Sequence, residues 1–505
     1  MGDADYSYGF VLEQLQPVLE QLGECRRIEH PETTLFSHAQ QAAEAGLEPV
    51  HLALNPPQVC YFTPGVPTVL FPFWEFPDIP SRSFGFDSRQ NWRRLCRHAD
   101  CILTASHATA AALTQGGVSR PIHTIPVPIS PAWFDVEPWH PERSWTIACR
   151  HLVIGGEADA GSSAPAIETP PSPAAASTKQ RSPWGQSAFR VLRRLIGAPR
   201  ADGLRDRYLG AARAQPPSGR LRRTIGVLKL LAYEFIRRLY QRYVTRWLSD
   251  HAVHKLGELR ARVVRHRPEL PLLPSTPLTL NGLVYTSVFN LSDRRKNVDD
   301  LLSAFLLAFR DRADVTLVLK LATNPTREYH EVQLFQSIYN SLGISHRCRV
   351  VVLTDFLDDD QMLGLMGATT YYVNTSRAEG ACLPLQNALA AGRPGLAPVH
   401  SAMADYMSDD VGFVVASHPE PTYWPHDPRR PLETYWHRLV WSDLHRKFLA
   451  SATMATADLS AYRHKAVAAR ARMKAFAARP VVQAALAEAL DDLPSYAPQR
   501  WDWAA

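Results

Sequence analysis

The sequence has few of the features that mark membrane, secreted or metal-binding proteins. Among its 505 residues, charges interrupt the longest apolar runs within about a dozen positions, whereas a membrane-spanning helix needs ~18–20. Residues 1–6 are acidic and polar, without the basic, apolar and small-residue succession of a secretory signal. We therefore expect a cytoplasmic protein without a transmembrane helix.

Cysteine is scarce and is not arranged for a metal or a disulfide framework. The seven cysteines are odd in number and scattered, and none forms the C-x-x-C pair of zinc sites. We expect buried free thiols in a reducing compartment. The positions are Cys25, Cys60, Cys96, Cys101, Cys149, Cys348 and Cys382.

Positive charge is concentrated in one segment. The whole chain carries a net +6, but residues 179–270 contain 22 Lys and Arg against 6 Asp and Glu, so this segment carries +16 and the rest −10. The preceding residues 155–178 are mostly Ala, Pro, Ser and Gly, which predicts a disordered linker because they cannot bury enough apolar surface. Apolar residues recur every three or four positions over 221–248, which predicts a basic amphipathic helix.

Outside this segment, short apolar runs alternate with helical patterns in two regions. Such alternation predicts parallel sheets covered by helices on both faces, hence two doubly wound α/β domains. The first region has predicted strands at 50–54, 66–73, 101–104 and 122–127, and helices at 88–98 and 106–115 with Ser106 as N-cap. The second has strands at 282–289, 315–321, 349–353 and 370–374, and helices at 298–310, 329–342 and 358–367.

The two ends of the chain depart from this pattern. Turn-like residues 6–9 run directly into a predicted helix at 10–22, so the first strand of the N-terminal domain is missing from the pattern. A helical pattern covers 432–493 with a break at Pro480. We predict four parts, with bounds 1–150, 151–275, 276–420 and 421–505.

The strongest local motif is the stretch 376–390, SRAEGACLPLQNALA, directly after a predicted strand. It places the carboxylate of Glu379 in a strand-to-helix loop, and the free N–H groups at the start of the following helix suit a phosphate. The motif resembles the retaining GT-B glycosyltransferases of family 4, also called glycosyl transferases group 1, whose signature is a Glu, seven residues and a second Glu. The resemblance covers residues 6–136 and 278–476.

In that family the first Glu binds hydroxyls of the donor sugar and the second binds the nucleotide ribose. We predict the first role for Glu379 and the second for Gln386, the polar residue seven positions after it. Because Gln386 lacks the charge of a Glu, we expect a loss of order ~1–2 kcal/mol in the ribose contact. The rest of the predicted donor-binding loop is Gly380, Ala381, Cys382 and Leu383.

The second motif is 289–298, FNLSDRRKNV, between a strand and a helix. Arg295, Lys296 and Asn297 match the Arg-Lys-Asn form of the family's diphosphate-binding pair, whereas Asn290 stands where many members have an earlier Arg. Fixed cations lower the barrier to departure of a nucleotide diphosphate without a metal. Lys320 either joins this cluster or is a surface lysine at a strand end.

Three further groups complete the predicted site. In the stretch 71–80, FPFWEFPDIP, Glu75 is a candidate for orienting the acceptor hydroxyl and Trp74 for stacking on a sugar; the alternative is an aromatic loop packed on the core. His400 follows the next strand and is placed on the acceptor side. Gly9 sits in the first turn, where a family glycine lets the backbone approach the donor.

These motifs predict a metal-independent retaining hexosyltransferase that uses a nucleotide-diphosphate sugar, a glycan or lipid-linked glycan acceptor, and no cofactor. The fold is then GT-B, with an acceptor-side domain at 1–150, a basic helical insertion at 151–275, a nucleotide-sugar domain at 276–420, and C-terminal helices at 421–505 that cross back. No D-x-D motif of the metal-binding kind stands between the domains, and 358–360 is interpreted as a helix cap. The alternative is a catalytically inactive GT-B relative that acts as a scaffold subunit in polysaccharide assembly.

The role of the basic segment 179–270 stays open between two interpretations. A one-sided cationic helix with aromatic residues can lie on an anionic membrane surface, which would suit a lipid-linked acceptor at the inner membrane face. Alternatively, the helix packs on the body of the protein, whose −10 would attract it. No nucleic-acid partner is expected, because the aromatic residues follow helical spacing and do not form a stacking platform.

Overall fold

In a computed structural model of the chain, the structure describes residues 4–81, 88–156, 272–322, 327–424 and 433–497. The predicted basic segment 179–270, its amphipathic helix and almost all of the linker lie outside these ranges. Within them, no helix is both long and apolar enough to cross a membrane.

The N-terminal sheet has four parallel strands that lie side by side in chain order. Helix α4 begins shortly after β3, at a helix N-cap: the Ser106 side chain accepts a hydrogen bond from the Thr109 N–H. The strands are β1 (His51–Ala53), β2 (Thr68–Leu70), β3 (Cys101–Thr104) and β4 (Ile122–Thr124). The helices are α1 (Ala4–Leu19), α2 (Pro31–Glu44), α3 (Trp92–Leu95), α4 (His107–Gln115) and α5 (Pro131–Phe134).

The C-terminal sheet has eight strands in the order β12-β11-β10-β7-β8-β9-β5-β6. Strand β5 runs antiparallel to both of its neighbours, β9 and β6, and the other neighbouring pairs are parallel. A separate antiparallel hairpin, β13–β14, follows β12. The sheet strands are β5 (Trp145–Ile154), β6 (Ser275–Leu280), β7 (Leu283–Phe289), β8 (Val315–Leu321), β9 (Arg349–Leu353), β10 (Tyr371–Val373), β11 (Gly395–Ala397) and β12 (Gly412–Val414). The hairpin strands are β13 (Ser417–Tyr423) and β14 (Glu433–Leu439).

Helices cover both faces of the C-terminal sheet because successive strand residues point in opposite directions. Tyr285 packs with Phe305 and Phe448 on one face, while its neighbour Val284 belongs to a core with Leu389 on the other. The helices are α6 (Val298–Ala308), α7 (Glu328–Leu342), α8 (Asp359–Ala368), α9 (Leu383–Ala390), α10 (Trp441–Ala457), α11 (Leu459–Ala477) and α12 (Arg479–Asp491).

The N-terminal sheet is covered in the same way. Val69 lies in a core that includes Val11 of α1 and Leu486 of α12, whereas Leu70 lies in the opposite core with Trp92. The fold class predicted from the sequence, two Rossmann-like α/β domains with helices on both faces of each sheet, is therefore confirmed for the described residues. The basic helical insertion lies outside them and stays a prediction, as do the domain bounds.

Several local predictions are wrong. Residues 6–9 are not a turn, because α1 begins at Ala4 and includes Gly9, so Gly9 cannot serve as a phosphate-approaching loop residue. The predicted helix 88–98 is divided into 3-10 and α-helical turns. Strand β5 pairs with β9 of the C-terminal sheet, although its first residues fall before the predicted boundary at 150.

The hairpin is the largest correction. Glu433–Leu439 was predicted to be helical but forms β14, which pairs with β13 from Ser417 opposite Leu439 to Tyr423 opposite Glu433. The stretch TYWH within it is rich in β-branched and aromatic residues, which favour a strand over a helix. The predicted break at Pro480 corresponds to the first turn of α12, where a proline is tolerated.

Two glycine substitutions test this description of the fold. A Cβ on Gly412 would lie 2.7 Å from the backbone N of Gly395 in β11 and even closer to its O, whereas a Cβ on helical Gly9 meets nothing within 4 Å. We expect Gly412→Ala to destabilise the protein by about 2 kcal/mol or more. We expect Gly9→Ala to stabilise it by up to ~1 kcal/mol. Thermal unfolding of both variants checks this, and a destabilised Gly9→Ala variant would contradict the helical assignment.

Candidate active site

The first site loop connects β7 to α6. Asp293 Oδ1 accepts from the Arg295 N–H at 3.0 Å and thereby begins a 3-10 turn, Arg294–Lys296. Asn290 Oδ1 accepts from the Ser292 N–H at 3.0 Å, so Asn290 shapes the same loop. The loop presents Arg295 and Lys296 at the carboxyl end of β7, where ligands of open α/β sheets bind.

The second site loop connects β10 to α9. The Glu379 N–H donates to Ser401 Oγ at 3.0 Å, and Asn374 Oδ1 accepts from the Ser376 N–H at 2.6 Å. Cys382 has φ 59° and precedes Leu383, the first residue of α9. The chain therefore turns sharply and directs both Glu379 and the N-terminal end of α9 toward the first loop.

Both loops lie close together because β7 and β10 are neighbours in the sheet. Lys296 Nζ lies 2.5 Å from Glu379 Oε1, and Arg295 Nη1 lies 3.9 Å from Glu379 Oε2. Arg295 Nη1 also donates to Ala378 O at 2.7 Å, and the Arg377 N–H donates to Arg295 O at 2.7 Å. The predicted meeting of these two cations with Glu379 is thus present in the structure.

Burial and charge act in opposite directions on Glu379. The residue is only 6% exposed, and burial alone would raise the pKa of its carboxyl group. The charges of Lys296 and Arg295 outweigh burial, so the pKa of Glu379 lies below its ordinary value. Glu379 is therefore ionised at neutral pH and can accept hydrogen bonds.

Arg295 is held by three carboxylates. Its Nη2 lies 2.7 Å from Asp293 Oδ2 and 3.3 Å from Glu75 Oε1, in addition to the Glu379 contact. Burial alone would lower the pKa of Arg295, but Glu75, Asp293 and Glu379 together raise it above its ordinary value. Arg295 therefore stays positively charged. One of the three carboxylates that favour its charged form, Glu75, comes from the loop after β2 in the N-terminal domain.

The Glu75 loop follows β2 and lies against the Glu379 loop. A Cβ on Gly380 would lie 3.3 Å from the backbone of Trp74, so the absence of a side chain permits this close approach. Trp74 itself is 4% exposed, packs against Trp92 and Trp424, and donates its Nε1–H to Asp78 O at 3.1 Å. Trp74 belongs to the aromatic core, so its predicted role as a sugar-stacking surface is wrong. The alternative interpretation, an aromatic loop packed on the core, holds for Trp74 and for the equally buried Phe71 and Phe76.

Three predicted residues take other positions. Lys320 is buried at the end of β8 and donates to Leu321 O at 2.8 Å; burial lowers its pKa to about 8. Gln386 Nε2 donates to Ala381 O at 2.9 Å and supports the loop backbone. Counting seven residues after Glu379 brings the second position of the signature to Asn387, so the prediction of Gln386 was one residue early. His400 is buried and stacked on His437 at 4.1 Å between ring centroids; burial lowers its pKa to about 3.

The backbone of the site is unusual at three positions. Asn297, Cys382 and Ser401 have φ of 53°, 59° and 47°, and they are the non-glycine residues with positive φ in the described chain. Asn297 also connects the loops, because its Oδ1 accepts from Arg377 Nη2 at 3.2 Å. Such conformations cost free energy and cluster at functional sites.

Sequence reasoning missed the residues that support the site from the hairpin. The Arg377 guanidinium lies over the Trp436 ring at 4.7 Å and 3.3 Å from Glu420 Oε2, while the His437 N–H donates to Arg377 O at 2.7 Å. The missed signal was the run Thr434, Tyr435 and Trp436 in β14, since β-branched and aromatic residues favour a strand. Asp293 and Ser401, also missed, are short polar residues typical of turns and caps.

In the described ranges, no group of three or more His, Cys, Asp or Glu side chains could hold a metal ion. The expected independence from metals and cofactors stays a prediction.

Several solved structures superpose in part on this chain. HepE from Anabaena, solved with UDP and glucose, is 15% identical with a TM-score of 0.41 over 85% of this chain and 72% of that chain. Sucrose-phosphate synthase from Thermosynechococcus elongatus is 12% identical with a TM-score of 0.43 over 93% and 80%. The C-terminal domain of LpcC, a glycosyl transferase group 1 family protein from Francisella tularensis, is 15% identical with a TM-score of 0.28 over 38% and 85%. No family model and no curated protein matches.

The pairing of Lys296 with Glu379 predicts a pH-dependent stability. At pH 7 we expect Lys296→Met to destabilise the protein by about 2–3 kcal/mol, because the buried carboxylate keeps only Arg295. The low pKa of Glu379 stabilises the wild type above the unfolded-state pKa of ~4.3, and this contribution disappears as the pH falls through the folded-state pKa. The difference between the two proteins should therefore narrow below about pH 4, as urea unfolding at several pH values would show.

Arg294→Met is the matched control, since Arg294 lies in the same turn but is exposed. We expect its unfolding midpoint to follow that of the wild type at every pH. If the difference in unfolding free energy between the wild type and Lys296→Met stayed constant with pH, the effect could not be assigned to Glu379.

Proposed function

We propose that the protein transfers a hexose from a nucleotide-diphosphate donor to a hydroxyl of a glycan or lipid-linked glycan, with retention of configuration. The observation that carries the proposal is the meeting of Arg295 and Lys296 with Glu379 at the carboxyl ends of β7 and β10. It supplies both a cationic position for a diphosphate and an ionised carboxylate for sugar hydroxyls.

The two cations stabilise the leaving group. When the bond between the sugar carbon and the phosphate oxygen breaks, negative charge grows on the diphosphate, and Arg295 and Lys296 are positioned to bind it. Both are already paired with carboxylates, so the donor must replace Glu75 or Asp293 as a partner of Arg295. The N–H groups at the start of α9 add a partial positive charge.

Glu379 holds the sugar while the acceptor attacks. Its carboxylate accepts hydrogen bonds from sugar hydroxyls, and its backbone is fixed through Ser401. The acceptor oxygen forms its bond to the sugar carbon on the face that the phosphate leaves, and the acceptor proton passes to the departing phosphate oxygen. This balance requires neither a protein nucleophile nor a metal.

A donor-binding and turnover experiment tests the proposal. UDP-, GDP- and ADP-sugars are screened by thermal shift with the full-length protein, and the one that binds is assayed for release of the nucleoside diphosphate. We expect Arg295→Ala and Lys296→Ala each to lower kcat/KM by about a hundredfold or more, as loss of a transition-state donor does. The anomeric configuration of the product, read by NMR, tests retention.

Arg294→Ala is the matched control, because it removes a neighbouring but exposed cation from the same turn. We expect less than a twofold change for this variant. Equal turnover by wild type and Lys296→Ala would eliminate the assignment of catalysis to this site, and donor binding without any turnover would favour the scaffold alternative.

A further inference from the structure

A pocket of about 200 Å³ lies next to the Glu379 loop, between the Glu75 loop, α4 and β14. At ~30 Å³ per water molecule this volume holds roughly seven waters, which is enough for one sugar unit. Ala378, directly before Glu379, and Ser401, which accepts from the Glu379 N–H, both line it. The pocket therefore borders the place where the reacting sugar would be held.

The β13–β14 hairpin builds one wall of this pocket and is attached to both domains. Thr434 Oγ1 donates to Asp78 Oδ2 of the N-terminal domain at 3.0 Å. On the other side, His437 N–H donates to Arg377 O at 2.7 Å in the loop that carries Glu379. The wall is consequently held in a fixed position relative to the catalytic loop.

The chemistry of the lining suits a sugar ring. Tyr435 is 50% exposed and lines the pocket, so its ring can cover the apolar face of a pyranose. The other apolar lining residues are Phe76, Pro77, Trp436 and alanines that include three of α4. The polar lining residues include Glu75, Gln115 and His437, whose buried Nδ1 has no hydrogen-bond partner within the described chain.

The charge of the lining selects among acceptors. Glu75 is a carboxylate, and the lining includes neither a lysine nor an arginine. Arg295 lies behind Glu75 but is already surrounded by carboxylates. A phosphate or a uronic acid would therefore be repelled, whereas neutral hydroxyls can donate to Glu75 and His437.

We propose that this pocket binds the sugar unit of the acceptor and that this unit is neutral. Tyr435 stacks on the sugar ring, while Glu75 and His437 accept hydrogen bonds from its hydroxyls. The inference rests on the proposed function and makes the hairpin the determinant of acceptor choice. It also transfers to Tyr435 the stacking role that the sequence had assigned to Trp74.

Ligand-observed NMR titration of the full-length protein tests the pocket without requiring turnover. The probes are methyl glycosides of glucose, galactose, mannose and N-acetylglucosamine, together with methyl glucuronide. We expect at least one neutral glycoside to bind and the glucuronide to bind at least tenfold more weakly. Tyr435→Ala should weaken the neutral glycoside roughly five- to tenfold, whereas Tyr435→Phe, which keeps the ring, should bind like the wild type.

Tyr423→Ala is the matched control, because Tyr423 is 44% exposed on the partner strand but does not line the pocket. The proposal would be overturned if Tyr435→Ala bound the neutral glycoside as tightly as the wild type, or if Tyr423→Ala weakened that binding as much as Tyr435→Ala does. It would also be overturned if no neutral glycoside bound, or if the glucuronide bound as tightly as the neutral glycosides. Displacement of the glycoside by the nucleotide sugar would assign the pocket to the donor and overturn it as well.

The same variants separate this inference from the proposed function. In the transfer assay, Tyr435→Ala should raise the acceptor KM, whereas Tyr423→Ala should leave both the acceptor KM and the hydrolysis of the donor by water unchanged. Absence of donor hydrolysis in the wild type would contradict the proposed function, while Tyr435-dependent glycoside binding would still support the pocket.

Discussion

The buried contact between Lys296 and Glu379, with Arg295 beside it, is the constraint on which the site depends. A carboxylate this enclosed would become neutral without cations, because burial disfavours its charged form. The two loops can supply charge to each other only because β7 and β10 are neighbours. The left-handed residues Asn297 and Cys382 end the two loops directly before α6 and α9 begin.

The same charges connect the two domains. Arg295 belongs to the C-terminal domain, and one of its carboxylates, Glu75, comes from the N-terminal domain. A diphosphate that competes with Glu75 for Arg295 would weaken this connection, so we expect donor binding to alter the contact between the two domains. The hairpin, attached to Asp78 and Arg377, would still join them.

The sequence predicted the parts of this molecule that depend on local patterns. Strands such as Cys101–Thr104, Val315–Leu321 and Arg349–Leu353 agree with their predicted bounds, since buried parallel strands are continuous apolar runs. Arg295, Lys296 and Glu379 were found through motifs. Trp74 and the hairpin were misassigned because side-chain direction and long-range pairing are set by tertiary packing, which local spacing does not encode. The prediction of Gln386 came one residue before Asn387, the position that the signature spacing gives.

The hairpin begins and ends at adjacent positions, since Ser417 pairs directly with Leu439. A segment with neighbouring ends can change in length and composition while the strand before it and the helix after it stay where they are. Under the proposed function, natural variation or protein engineering could thus exchange the hairpin and change the acceptor, while Arg295, Lys296 and Glu379 stay in place.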